Sequence, residues 1–124
     1  LELDEDAPEG FGLRILAKQV AQATTFGIER IDTLAARNSK MNGYYTWPRY
    51  GFDGPLEEGH IYDLPEELQW AEYVSDLMES EEGREYWREY GDSIHVSFDL
   101  APDSYSMQVL QQNLETRRVI PWPL

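Results

Sequence analysis

Residues 7–36, APEGFGLRILAKQVAQATTFGIERIDTLAA, hold the two clearest elements of the chain in immediate succession. Leu13, Leu16, Ala17, Val20 and Thr24 recur at i, i+3, i+4, i+7 and i+11, which lines one face of a helix over residues 13–26, and Gly27 is placed to end it in the left-handed conformation. Residues 28–36 follow at once, short and rich in β-branched and small side chains, and read as a strand buried on at least one face. A helix running directly into a strand suggests a parallel α/β crossover. Just before the helix, Gly10 and Gly12 let the backbone come close to a ligand while the first free N–H groups of the helix point outward, as phosphate binding requires. The same glycines also suit a plain tight loop leading into a packed helix.

Outward from this core, YYTWPRYGFDG (residues 44–54) sets aromatics around Pro48, whose fixed φ and missing N–H limit any helix there to one or two turns before a strand-like entry at Gly51. Asp63 with Glu66 makes a capping box, and Leu64, Leu68, Ala71, Val74 and Met78 give the period of a second helix to about Glu79. Ser80 opens a short third helix with Tyr86, Trp87 and Tyr90 on one face and Gly91 at its end. Residues 93–99 alternate polar and apolar, with Ile94, Val96 and Phe98 on one face, and form the cleanest strand. Asp103 or Ser104 then caps a final helix carrying Met107, Leu110 and Leu114. The fold class expected is α/β, more closely an α+β mixed sheet with a helical insertion before its last strand.

The 124 residues suit one domain, residues 1–124, and 41% hydrophobic content with 4 Trp, 8 Tyr and 4 Phe supplies one core. No apolar run approaches the roughly 20 residues of a membrane-spanning helix, and no leader opens the sequence, so a soluble, cytoplasmic protein without membrane contact is expected. The absence of cysteine excludes disulfides, thiolate nucleophiles and cysteine-ligated zinc. A formal charge of −14 disfavours direct nucleic-acid binding and favours cationic substrates or partners.

The loop APEGFG, with Gly10 and Gly12 in its glycine places, Asn38 seven residues before Tyr45, and Gly51 followed by Phe52 together resemble the C-terminal half of the Gcn5-related N-acetyltransferase (GNAT) fold over residues 1–54. In that family a loop of Arg or Gln, two residues, Gly, one residue, Gly or Ala precedes the main helix, and the next strand leads to an Asn, a Tyr and then Gly-Phe. The resemblance implies an N-acyltransferase moving an acetyl or other acyl group from acetyl-CoA, as co-substrate, to an amine of a small molecule or protein. It implies that Glu9, Gly10, Phe11, Gly12 and Leu13 hold the pyrophosphate through their amides, that Asn38 belongs to the cofactor site, and that Tyr45 protonates the departing thiolate. A phenol suits that role because it is protonated at neutral pH.

The chain departs from the pattern in four places. Ala7 stands where Arg or Gln is usual, and Asp4, Glu5, Asp6 and Glu9 crowd the loop. Each carboxylate at about 8 Å in water opposes a ligand charge by about 0.5 kcal/mol, comparable with the helix dipole's roughly 0.3–1 kcal/mol. The stretch from Tyr45 to Gly51 is two residues longer than usual, which leaves Tyr44 and Trp47 as competitors for the place of the acid. The first strands and helices of the fold have no counterpart, so the resemblance implies a fragment of a longer polypeptide or completion by another chain, with residues 55–124 supplying helices, the last strand and the C-terminal helix.

Two histidines and an acidic run remain. His60 lies between carboxylates in EEGHIYD (residues 57–63), where it could ligate a divalent metal or act as a base, but a solvated loop is the favoured reading and no metal site is expected; His95, on the polar face of the last strand, could serve as an acceptor base, but a surface or hydrogen-bonded histidine is the favoured reading. Glu79, Glu81, Glu82, Glu85 and Glu89, with the aromatics Trp70, Tyr73, Tyr86, Trp87 and Tyr90, support an alternative function: a non-catalytic acidic interaction module of the same fold that binds a basic protein.

Overall fold

The structure is a computed structural model and describes residues 11–39 and 41–117. In chain order the elements are α1 (Phe11–Thr25), β1 (Arg30–Ala35), α2 (Gly43–Arg49), α3 (Glu58–Ile61), a 3₁₀ turn (Glu66–Leu68), α4 (Val74–Met78), α5 (Glu81–Tyr90), β2 (Ile94–Asp99) and α6 (Tyr105–Arg117). Helices with a separate antiparallel sheet make an α+β arrangement, and no helix among the described residues is long and apolar enough to cross a membrane.

Helix α1 ends as its sequence dictates. Gly27, at φ 76°, donates to the Thr24 carbonyl and Ile28 to that of Ala23, the paired 5→2 and 6→1 bonds of a Schellman stop. The chain then enters β1, which pairs antiparallel with β2 from Arg30 opposite Asp99 to Ala35 opposite Ile94. The parallel crossover suggested by helix and strand in succession would join β1 through α1 to a strand before it, and that part of the expectation lies outside the described residues. The connection between β1 and β2 is the 36–93 stretch carrying α2 to α5, the helical insertion expected before the last strand, and it brings the chain back in the opposite direction.

On the far side of β2, Asp53 and Ser97 exchange backbone bonds of 2.9 and 2.8 Å, so the strand-like entry after Gly51 is a single bridge. Residues 54–56 meet residues 72–74 in the same way: Leu56 N–H donates to Glu72 and Val74 N–H to the Gly54 carbonyl. This pairing breaks the helix expected over residues 64–79. Tyr73 is extended at φ −124° and ψ 154°, and the Asp76 carboxylate accepts from the N–H groups of Glu72 and Tyr73, so a new helix starts at Val74. Ser80 caps α5 by accepting from Gly83 N–H at 3.0 Å, and Ser104, of the two residues proposed, caps α6 by accepting from Met107 N–H at 3.1 Å.

The core lies between the inner sheet face and the helices. Ile94, Val96 and Phe98 of β2 are buried, as their alternation requires, with Leu13, Leu16, Ala17 and Val20 from α1 and Trp47, Phe52, Leu77 and Trp87 from the insertion. Phe52 stands edge-on to Phe98 at 5.3 Å and tilted to Trp47 at 5.9 Å, an arrangement that aligns ring edges with π faces. Helix α2 packs on β1 and α4, α4 on α5, and α6 on β2, which fixes the insertion against the sheet.

Candidate functional site

The residues singled out by the sequence fall into two groups. Glu9 and Gly10 lie outside the described residues. Phe11, Gly12 and Leu13 form the first turn of α1, where Gly12 and Leu13 are buried and Leu13 is part of the core. Asn38 is exposed in the reversal after β1, its N–H donating to the Met41 carbonyl and its carbonyl accepting from Met41 N–H. Arg37 bridges to Asn42, and Tyr44 N–H donates to Ala36 at 3.1 Å, so the reversal passes directly into α2 and carries Asn38 and Tyr45 in one local unit.

Helix α2 sorts its aromatic side chains. Trp47 is 1% exposed and belongs to the core, and Tyr44 is 6% exposed with its hydroxyl donating to the Arg88 carbonyl. Tyr45 is half-buried and borders a groove of about 350 Å³ together with Asn42, Tyr44, Thr46, Arg49, Tyr50 and Arg88. Its hydroxyl makes no hydrogen bond among the described residues. Of the three candidates for the acid's place, Tyr45 is thus the one with a phenol free to meet a ligand. None of the groove's lining residues comes from α1.

The electrostatics of this groove run against the charge of the chain. The Arg49 guanidinium lies 5.9 Å from the Tyr45 ring centroid, and neither Arg49 nor Arg88 forms an ion pair among the described residues, although the chain carries 24 acids. Arg37 is 4.6 Å over the Tyr44 ring and donates to the carbonyls of Glu89 and Gly91, which ties the reversal after β1 to the end of α5. A positive charge about 6 Å from a developing anion stabilises it by about 0.7–2.8 kcal/mol for dielectric constants of 80 to 20. Asn42 also lines the groove, and its Oδ1 is buried without a partner among the described residues.

His60 is not the solvated loop residue the sequence suggested but a nearly buried one with both ring nitrogens bonded. Its Nδ1 accepts from Glu57 N–H at 2.9 Å, so Nε2 carries the proton and donates to the Ser93 carbonyl at 3.1 Å, and the ring stands edge-on to Trp87 at 5.1 Å. This cap makes the four-residue helix α3 where the sequence suggested a loop. His95 is exposed on the outer face of β2, 3.9 Å from Glu57. Among the described residues no group of three His, Asp or Glu side chains converges on a metal-sized site.

Asp53 is a partly buried carboxyl beside β2. It accepts from Ser75 N–H, Ser75 Oγ–H and Gly54 N–H at 2.8–3.0 Å, yet burial outweighs these bonds and its titration lies above the usual carboxylate range. Its bonds tie the bridge on β2 to the start of α4, a structural role.

Sequence reasoning did not find Arg49 and Arg88 as neighbours of Tyr45. Arg49, four residues after Tyr45, was open to reading as its neighbour on one helix face, whereas Arg88 lies forty-three positions away with no local signal to link it. Compared with protein-family models, with curated proteins and with solved structures, the chain matches none.

Proposed function

We propose that the chain is a Gcn5-related N-acyltransferase-like domain that moves an acyl group from a coenzyme A thioester to an amine, with Tyr45 as general acid. The observation that carries this reading is Tyr45 on an open groove flanked by Arg49 and Arg88, cations that form no ion pair among the described residues.

In the proposed reaction the neutral amine nitrogen attacks the thioester carbonyl, the C–N bond forms and the C–S bond breaks. The thiolate takes the Tyr45 hydroxyl proton, the amine gives up a proton to water, and the tyrosinate is reprotonated from solvent. Arg49 and Arg88 favour both the leaving thiolate and the transient tyrosinate. The negative field of the remaining surface favours a cationic acceptor.

The test is calorimetric titration with acetyl-coenzyme A, followed by thiol-release assays over a panel of primary amines with wild type and Tyr45→Phe. Saturable binding in both proteins, with kcat lowered about 10²- to 10⁴-fold in the variant, is the expected result for loss of a general acid. Absence of saturable binding, or equal turnover in the two proteins, would refute the proposal.

A further inference from the structure

On the other side of α5 from Arg88 the fold builds a second concavity, of about 690 Å³, lined by Glu57, His60, Asp63, Tyr86, Trp87, Tyr90 and Asp92 with the backbone of Gly59. It shares no lining residue with the Tyr45 groove, and Trp87 stands between them: its ring is 5.1 Å from His60 and 6.3 Å from Tyr44, and its Nε1–H donates to the Tyr44 carbonyl at 2.7 Å. Among the described residues no lysine or arginine lines this cleft.

Two features give it a chemical preference. Tyr86 and Tyr90, one helical turn apart, hold their rings 5.2 Å apart at 40°, and Tyr90 is 68% exposed, so a π face is open to solvent. Three acidic residues, Glu57, Asp63 and Asp92, line the same cleft as these rings, and all three are exposed. A planar cation laid on a tyrosine ring, with carboxylates within reach of its N–H groups, satisfies both features at once, and a guanidinium fits better than an ammonium because it stacks and binds carboxylates through a fork. The Tyr86 hydroxyl donates to the Asp63 carbonyl at 3.1 Å, which fixes one ring, while burial and then the neighbouring Asp63 and Tyr90 push its phenol up.

We propose that this cleft is a docking site for an arginine side chain of a basic peptide segment, recognised by the Tyr86–Tyr90 pair and the carboxylates of Glu57, Asp63 and Asp92. The site is independent of acyl transfer: it needs neither coenzyme A nor Tyr45.

The experiment titrates the full chain, without acyl-coenzyme A, with a blocked glycine–arginine peptide and with the same peptide carrying neutral citrulline in place of arginine. Saturable binding of the arginine peptide, at least about tenfold tighter than the citrulline peptide, is expected, weakening as salt rises from low ionic strength. Tyr90→Ala weakens it roughly 3- to 10-fold through loss of the ring face. Asp63→Asn with Asp92→Asn weakens it further. Asp103→Asn with Glu115→Gln, which deletes the same charge around α6, leaves it unchanged, as does Tyr45→Phe. Tyr90 is exposed and Asp92 caps only its neighbour Ser93 N–H, a bond that asparagine Oδ1 retains, so circular dichroism should show each variant folded. Equal binding of the two peptides, no binding, or equal losses in the cleft and α6 variants would overturn the proposal. Failure of acyl transfer with the peptide result intact would overturn the Tyr45 reading alone.

Discussion

Replacing Gly51 with alanine tests whether the Gly51–Phe52 corner holds the site in place. The backbone there has φ +119°, and a Cβ would stand 2.6 Å from the Ser106 carbonyl oxygen and 3.1 Å from Cε2 of Phe98. Gly27 is the internal control, since it also has positive φ, 76°, but a Cβ there would meet nothing within 4 Å. At Gly27 alanine meets left-handed strain alone, about 1–2 kcal/mol. At Gly51 the backbone region is one that side chains rarely adopt, which costs about 1–3 kcal/mol. Moving the α6 backbone away from the new methyl costs about 1–3 kcal/mol more, as overpacking does.

The gain from restricting the unfolded chain is common to both variants and cancels in the comparison. Before that gain of about 0.4–1 kcal/mol is subtracted, the two costs at Gly51 sum to about 2–6 kcal/mol, a large share of the roughly 5–15 kcal/mol typical of a domain. Urea denaturation followed by far-ultraviolet circular dichroism measures both variants, with equal slopes required for the comparison. A Gly51→Ala loss no larger than that of Gly27→Ala would refute the steric argument, and with it the claim that this corner fixes Phe52 on Phe98 and Asp53 on Ser97.

Two further predictions concern titration. The Asp53 carboxyl is raised above its ordinary value of 3.8, chiefly by burial, so its protonated form is favoured in the folded state; its contribution to stability is present at low pH and is lost as pH rises through the folded value. Carboxyl-carbon NMR should place its midpoint above 3.8, and the stability of the wild type relative to Asp53→Asn should fall across the same pH window. The Tyr105 phenol is pushed up to about 12 by burial and then by the charges of Asp53, Glu79 and Asp76, so absorbance at tyrosinate wavelengths should lose its latest-titrating component in Tyr105→Phe.

The elements governed by near neighbours were legible in the sequence. The Gly27 stop, the alternation of β2 and the serine caps of α5 and α6 each rest on residues within about five positions of one another. The break in the 64–79 helix was not legible, because the residues that impose it, Gly54 to Leu56, sit on another segment and compete for the backbone groups of residues 72–74. Strand direction was hidden for the same reason: the β1 and β2 partners are about sixty residues apart, and nothing in either strand encodes the turn of the chain between them. At the candidate site, Tyr45 was visible as a residue type at a spacing, while its advantage over Tyr44 and Trp47 emerged only from which rings α2 buries.

The Asp53–Ser97 bridge also determines the outer side of β1. Ser97 directs both its N–H and its carbonyl to Asp53, so Asp32, opposite it, sends its own backbone groups the other way, as do Arg30 and Leu34 in alternation. Among the described residues that outer edge is unpaired. On the exposed face beside it lies a two-point Arg30–Asp32 ion pair at 2.8 and 3.1 Å, with Asp32 also receiving the Ser97 hydroxyl of β2. A strand adding to that edge would meet these charges at its side and have to desolvate them in part, whereas Leu34, 49% exposed on the same face, offers it apolar contact.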